Sequence, residues 1–150
     1  MATAEGFDAA ALRLAFREVP LAHVASVGAD GSPHVVPLWF VWLEDAVFVT
    51  CREQSQVHRN LRRDPRVAVE VERGRAWAEQ SGVLLRGAAV FLPPEHPSHK
   101  RAISAWFEKY RGDLGRGGFD AYTAQVEGAA LFRVDVHRVA GWSHAFPPPT

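Results

Sequence analysis

Apolar residues along the chain recur mostly at every second position, in short runs separated by turn-forming residues. Leu21–Val27 reads as a strand. Gly28-Ala29-Asp30-Gly31-Ser32 is a turn rich in residues that tolerate positive φ, and His34–Leu43 is a second strand. Glu44-Asp45 makes a tight connection to a third, Ala46–Thr50. Val67–Glu72 continues the sheet with Val67, Val69 and Val71 on one face; Gly82–Leu92 is a fifth strand. The sixth is Ala129–Val139, with Ala130, Phe132, Val134 and Val136 inward and Arg133, Asp135 and His137 outward. Short connections between the first three strands predict an antiparallel meander, and GxGxxG is absent.

Helical periodicity marks three other stretches. Phe7, Ala10, Ala11, Leu14 and Ala15 fall on one face of an amphipathic helix ending before Pro20, a lid or cap on the rest. A basic helix runs from about Ser55, its expected N-cap, to about Arg63, where Asp64-Pro65 stops it. Pro97-Ser98 opens a third, with Ala102, Ile103, Trp106, Phe107 and Tyr110 on one face. Gly112 is expected to end it, and Gly115–Gly118 to form a flexible loop. The elements together predict a mainly β fold: a six-stranded antiparallel barrel with helices on the rim.

The second strand, HVVPLWFVWL, is apolar on both faces, so it must be covered twice or lie at an interface. Pro37 cannot donate a ladder hydrogen bond and marks an edge or a bulge. Trp39 and Trp42 are expected on opposite faces.

With 150 residues, 47% of them hydrophobic, the chain is expected to form one domain over residues 1–150. Seventeen basic and seventeen acidic residues cancel, so any anion site is local. Acidic residues and no long apolar core at the N-terminus, the lack of a membrane-length apolar run and the single Cys51 lead us to expect a soluble, cytoplasmic protein with no membrane partner.

Candidate chemistry concentrates at the elbow between the third strand and the basic helix. It delivers Thr50, Arg52 and Ser55 to a helix start, where unpaired N–H groups and the positive dipole end suit a phosphate. Read the other way, Arg52, Arg59, Arg62, Arg63 and Arg66 are a solvated face. Those arginines lack the interleaved exposed aromatics of single-strand binders, so no nucleic-acid partner is expected. His96 and His99 stand three apart with no third ligand of known spacing, and Pro97 between them suggests a cap and turn, so no metal is expected. GxSxG is absent, Cys51 has no visibly placed base, and no catalytic residue can be named.

The run LAHVASVGADGSPHVVPLWFVW, then VFVT, then SQVHRNLRRDPRVAVEVE, resembles the pyridoxamine 5′-phosphate oxidase-like proteins over about residues 10–92. These are flavin- and deazaflavin-dependent oxidoreductases built on an FMN-binding, Greek-key split barrel. The resemblance implies a homodimer with two interfacial sites for FMN or the deazaflavin F420, and hydride transfer with a small conjugated substrate. It places the cofactor ring against Val36, Pro37, Leu38 and Trp39. The phosphate would be held by Thr50, Arg52, Ser55, Gln56 and Val57, with Asn60 supporting the loop. Many relatives of that kind carry a basic pair, commonly with Lys, where this chain has Gln56-Val57-His58. Losing one charge-assisted contact costs on the order of 1.5–3 kcal/mol. The alternative is a non-catalytic barrel that binds a flavin, haem or another planar ligand, with His34, His58 or His144 as an axial ligand to haem. The tail Gly141–Phe146 either folds over a bound ring or packs on its own barrel.

Overall fold

A computed structural model describes residues 9–44, 46–126 and 129–144, with side chains for all of these except Ala9 and residues 113–126. Phe7, Asp45, Phe146 and the Pro147–Pro149 tail lie outside the described residues. The elements in chain order are α1 (Ala9–Phe16), β1 (Ala22–Val27), β2 (Pro33–Leu38), β3 (Phe40–Leu43), β4 (Ala46–Arg52) and α2 (Gln56–Arg63). They continue with β5 (Arg66–Arg73), a 3-10 turn (Trp77–Glu79), β6 (Ser81–Leu92), α3 (Pro97–Val126) and β7 (Ala129–Ser143).

All strands join one antiparallel sheet in the order β2-β1-β5-β6-β7-β4-β3. Seven strands replace the six expected because the apolar run His34–Leu43 is divided. Its first half pairs with β1 and its second with β4, so one continuous stretch supplies both edges of the sheet. The chain crosses from edge to edge at Trp39, and the sheet curls until β2 comes against β4. Pro37 lies on edge strand β2, the kind of position where a strand tolerates a missing donor.

The inner face is the expected alternation. Val24, Val47, Val49, Val69, Val71, Val83, Phe132 and Val134 form a buried core. The outer face divides in two. Over β3, β4, β7 and the end of β6 lies α3, burying Ala102, Trp106 and Tyr110 against Val41, Phe48, Leu92 and Leu131. Over β2, β1 and β5, no helix covers the outer side among the described residues: Val35 is 60% exposed and Pro37 is exposed. Trp39 packs under α3 and Trp42 against the inner core, so the two do take opposite faces.

Two helical expectations need correction. The face of α1 that packs on the barrel is Leu12, Ala15 and Phe16, whereas Leu14 is 61% exposed. Spacing i, i+3, i+4 holds for both sets. The set carrying Phe16 wins because alanines have little area to bury. Gly112 does not end α3, and residues 115–118 are helical rather than a loop. A helical glycine costs only about 1 kcal/mol against alanine, less than the packing of Trp106 and Tyr110 returns.

A bulge sets the curl of the long β6–β7 ladder. Arg86 faces Arg138 and Gly87 faces Val136, which leaves His137 as the extra residue. A Cβ at position 87 would run into the Asp135 carbonyl, so only glycine fits there.

A candidate phosphate seat at the elbow between β4 and α2

Strand β4 runs two residues further than expected, through Cys51 to Arg52, and the elbow is Glu53–Ser55. Gln54 turns the chain with φ at 63°, and its N–H donates to His58 Nδ1 at 3.2 Å. Ser55 caps α2 as expected, its Oγ accepting from the His58 N–H at 3.3 Å. That leaves the N–H groups of Gln56 and Val57 without intrahelical acceptors. At the other end Asp64 closes the helix with its N–H on the Asn60 carbonyl.

Helix α2 is fixed to the barrel by a polar clip. Asn60 is fully buried; its Nδ2 donates to Ser26 Oγ at 3.0 Å, and its Oδ1 accepts from Gln56 Nε2 at 2.7 Å. Arg63 donates to the Val27 carbonyl at 2.6 Å and to Asn60 Oδ1 at 3.3 Å. Asn60→Ala is expected to strand the buried Ser26 hydroxyl and cost about 1–3 kcal/mol of unfolding free energy, measurable by denaturant titration.

The arginines divide sharply. Arg59 donates to the Gln54 carbonyl and to Gln56 Oε1, Arg62 stacks over Phe91 at 4.5 Å, and Arg66 pairs with Asp64. Asp64 is held down at about 2 by that hydrogen bonding to Arg66. Arg52, exposed at the end of β4, has no side-chain partner among the described residues. It is the cation left free beside the N-terminus of α2.

Of the other expected site residues, Thr50 is buried, Ser55 half-buried and Gln56 exposed. Val57 is buried in the inner core, so it offers the seat only its backbone N–H. Val36 and Leu38 pack against the inner core beside exposed Pro37, on the strand that α2 touches. The Trp39 ring is engaged elsewhere, stacked on Tyr110 at 4.2 Å and tilted against Trp106 at 5.3 Å.

Cys51 is buried, and burial pushes its thiol up to about 11 against an opposing hydrogen bond with Ser55. Folded protein is therefore expected to react with a disulfide reagent at pH 8 only as fast as it unfolds. The Cys51 contribution to stability falls as pH rises from about 9 to about 11, because only the unfolded thiol ionises in that window. Between about pH 9 and about 11, thermal melts of Cys51→Ala are expected to gain stability relative to the parent chain.

His96 Nδ1 accepts from the Ser98 N–H at 3.1 Å, the cap and turn expected at the start of α3. Among the described residues no three His, Cys, Asp or Glu side chains gather as a metal set. At the far end of the sheet, the Trp142 ring lies on Gly82, and His144 stacks on Trp77 at 4.8 Å while its N–H donates to the Gln80 carbonyl. The described part of the tail thus packs on its own barrel. Pattern reading missed this cluster because Trp77 lies in a polar stretch and Gly82 gives no hydrophobic signal.

On the uncovered outer face, a groove of about 400 Å³ is floored by Ala25, Val27, Pro33 and Ala68, with Arg86 and His137 at its rim.

The family model for pyridoxamine 5′-phosphate oxidase matches residues 9–143. The chain belongs to that family. None of the curated proteins matches it. Among solved structures it is similar to the conserved hypothetical protein Rv2991 of Mycobacterium tuberculosis, with 24% identity, 100% of this chain and 94% of that one covered, and a TM-score of 0.76. The heme storage protein HutZ of Vibrio cholerae is 18% identical over 91% of this chain and 95% of its own, with a TM-score of 0.70. An FAD-binding protein of Mesorhizobium loti is 18% identical, covering 90% and 92%, with a TM-score of 0.69. These likenesses establish the split-barrel fold. Among the described residues no helix is long and apolar enough to cross a membrane.

Proposed function

We propose that residues 1–150 form one cofactor-binding unit that acts as a cytoplasmic, flavin-dependent oxidoreductase, binding FMN at the interface of a homodimer. The observation that carries this reading is Arg52, unpaired among the described residues and set beside the Ser55-capped start of α2, in a chain whose neighbouring arginines are engaged. A phosphate there gains a guanidinium, the N–H groups of Gln56 and Val57, and the helix dipole. Thr50 and Ser55 flank the seat, Asn60 holds α2 in place, and Val36, Pro37, Leu38 and Trp39 supply the strand beside it.

When bound, the flavin supplies hydride chemistry toward a small conjugated substrate. The chain's own part is to bind the phosphate, orient the ring and exclude water, which fits a site with no evident acid or base. Deazaflavin F420 is the second choice of cofactor. Its acidic tail would need to displace Arg59, Arg62 or Arg63 from their present contacts.

A second copy of the chain is the occupant proposed for the uncovered outer face, where exposed Val35 and Pro37 adjoin the apolar groove floor. Light scattering is expected to give twice the 16.6 kDa chain mass. A monomer at micromolar concentration, with or without FMN, would remove the interfacial site.

The competing reading is a barrel that binds haem without catalysis. His58 Nδ1 is taken by Gln54 and the His144 ring is stacked on Trp77, leaving His34, whose buried Nδ1 has no partner among the described residues, as the axial ligand to test. A Soret band lost on His34→Ala would favour it.

A further inference from the structure

Lys100 and Lys109 are the chain's only lysines; every other basic position is arginine. Lys100 is exposed on α3. Lys109, nine residues on, lines a cleft of about 330 Å³ between α3 and β3, whose walls include Val41, Trp42 and Glu108, with Arg17 and Glu18 at one side. Its Nζ donates to the Phe40 carbonyl at 3.0 Å and sits 3.5 Å from the centre of the Phe40 ring. One donor position is thereby fixed, on a side chain that lines an open cleft rather than swinging in solvent.

We propose that Lys109 is a carbonyl-capturing amine, taking small uncharged aldehydes in the Val41–Trp42 cleft as an imine. The amine lone pair attacks the carbonyl carbon and forms the C–N bond, while the carbonyl pair moves to oxygen. Both amine hydrogens then leave with that oxygen as water, and C=N remains. No oxidant or reductant enters the step.

Burial favours the neutral amine, against the pull of the Phe40 carbonyl and ring on its charged form, and the cleft suits an uncharged partner. Burial lowers the Lys109 pKa to about 8, with the Glu18 charge opposing. The charged groups facing the cleft are Arg17, paired with Glu18, and Glu108, paired with Arg111. A carboxylate-bearing carbonyl compound would meet Glu18 and Glu108, whereas a short aliphatic aldehyde meets Val41 and Trp42. Arginine could not serve at this position, since it stays protonated at any ordinary pH. The proposal stands apart from the flavin reading, because the cleft shares no residue with the elbow.

Reductive trapping tests it on the full chain. Butyraldehyde with cyanoborohydride converts any imine to a stable alkylamine, and peptide mass spectrometry reads Lys109 and Lys100 in the same molecule. At pH 8 Lys109 is expected to label at least about tenfold faster than Lys100, since burial leaves a large share of Lys109 neutral there and the cleft holds the aldehyde beside it. The Lys109 rate should saturate with aldehyde, rise as pH passes through about 8, and be slower with glyoxylate. Lys109→Arg should lose the fast adduct and keep the slow one. Equal or slower labelling of Lys109, or a rate linear in aldehyde up to millimolar concentration, would overturn the proposal. The comparison between the two lysines of the native chain stands even if the variant fails to fold.

Discussion

Replacing Arg52 by alanine is expected to weaken FMN binding at least tenfold. A charge-assisted hydrogen bond to phosphate is worth about 1.5–3 kcal/mol, which corresponds to roughly ten- to a hundredfold in affinity. Arg52 is exposed and makes no side-chain hydrogen bond or ion pair among the described residues, so its removal should leave the melting temperature nearly unchanged. Two controls separate loss of the seat from loss of charge. Arg101→Ala removes a cation paired with Glu44 and should not alter affinity. Arg52→Lys keeps the charge but not the planar fork, and should fall between. Fluorescence titration with FMN reads all three. Unchanged affinity in Arg52→Ala would take the elbow out of the account.

The largest expected loss of stability comes from the other side of the sheet. Trp106 is fully buried between α3 and the outer faces of β3, β4 and β7, in contact with Trp39, Phe107 and Tyr110. Trp106→Ala is expected to cost about 3–5 kcal/mol, from lost transfer free energy plus the cavity it leaves. Against a typical total of about 5–15 kcal/mol, that is a large share. Trp77→Ala, at 69% exposure, should cost under about 1 kcal/mol. Urea unfolding at neutral pH distinguishes the two; equal losses would mean that α3 does not seal that half of the barrel.

The parts of this fold that could be read from the sequence are those decided by near neighbours. The Ser55 cap, the Asp64-Pro65 stop, and the inward Val67, Val69 and Val71 follow from local chemistry, and all are present. The division of His34–Leu43 follows from something else. An unbroken apolar run carries no local mark of where its ladder partner changes, and here the change depends on β1 and β4 lying at opposite ends of the sheet order. Gly112 misled for the opposite reason: its local preference is real but small beside the burial of Trp106 and Tyr110. The bulge at Gly87 likewise depends on β7, fifty residues away in sequence.

The candidate site shows the same division. The helix start and its cap were legible from the residues, whereas Asn60 in a supporting role came only through the family resemblance; its bond to Ser26 depends on β1 lying beside α2. Which arginine stays free was not legible. Arg59 and Arg63 find backbone carbonyls, at Gln54 and Val27, that exist only once the elbow and β1 are in place. Lys109 was invisible for the same reason, because its burial depends on Phe40 and the Arg17-Glu18 segment arriving from elsewhere.

The elbow is proposed to seat the phosphate of a flavin. Titrating the purified chain with FMN and, separately, with F420, following cofactor fluorescence, tests it most directly. Saturable FMN binding near one per chain is expected, tighter than F420 and weakened at least tenfold by Arg52→Ala. No binding of either at tens of micromolar would contradict it, and would mean that Gln56-Val57 has disabled the seat.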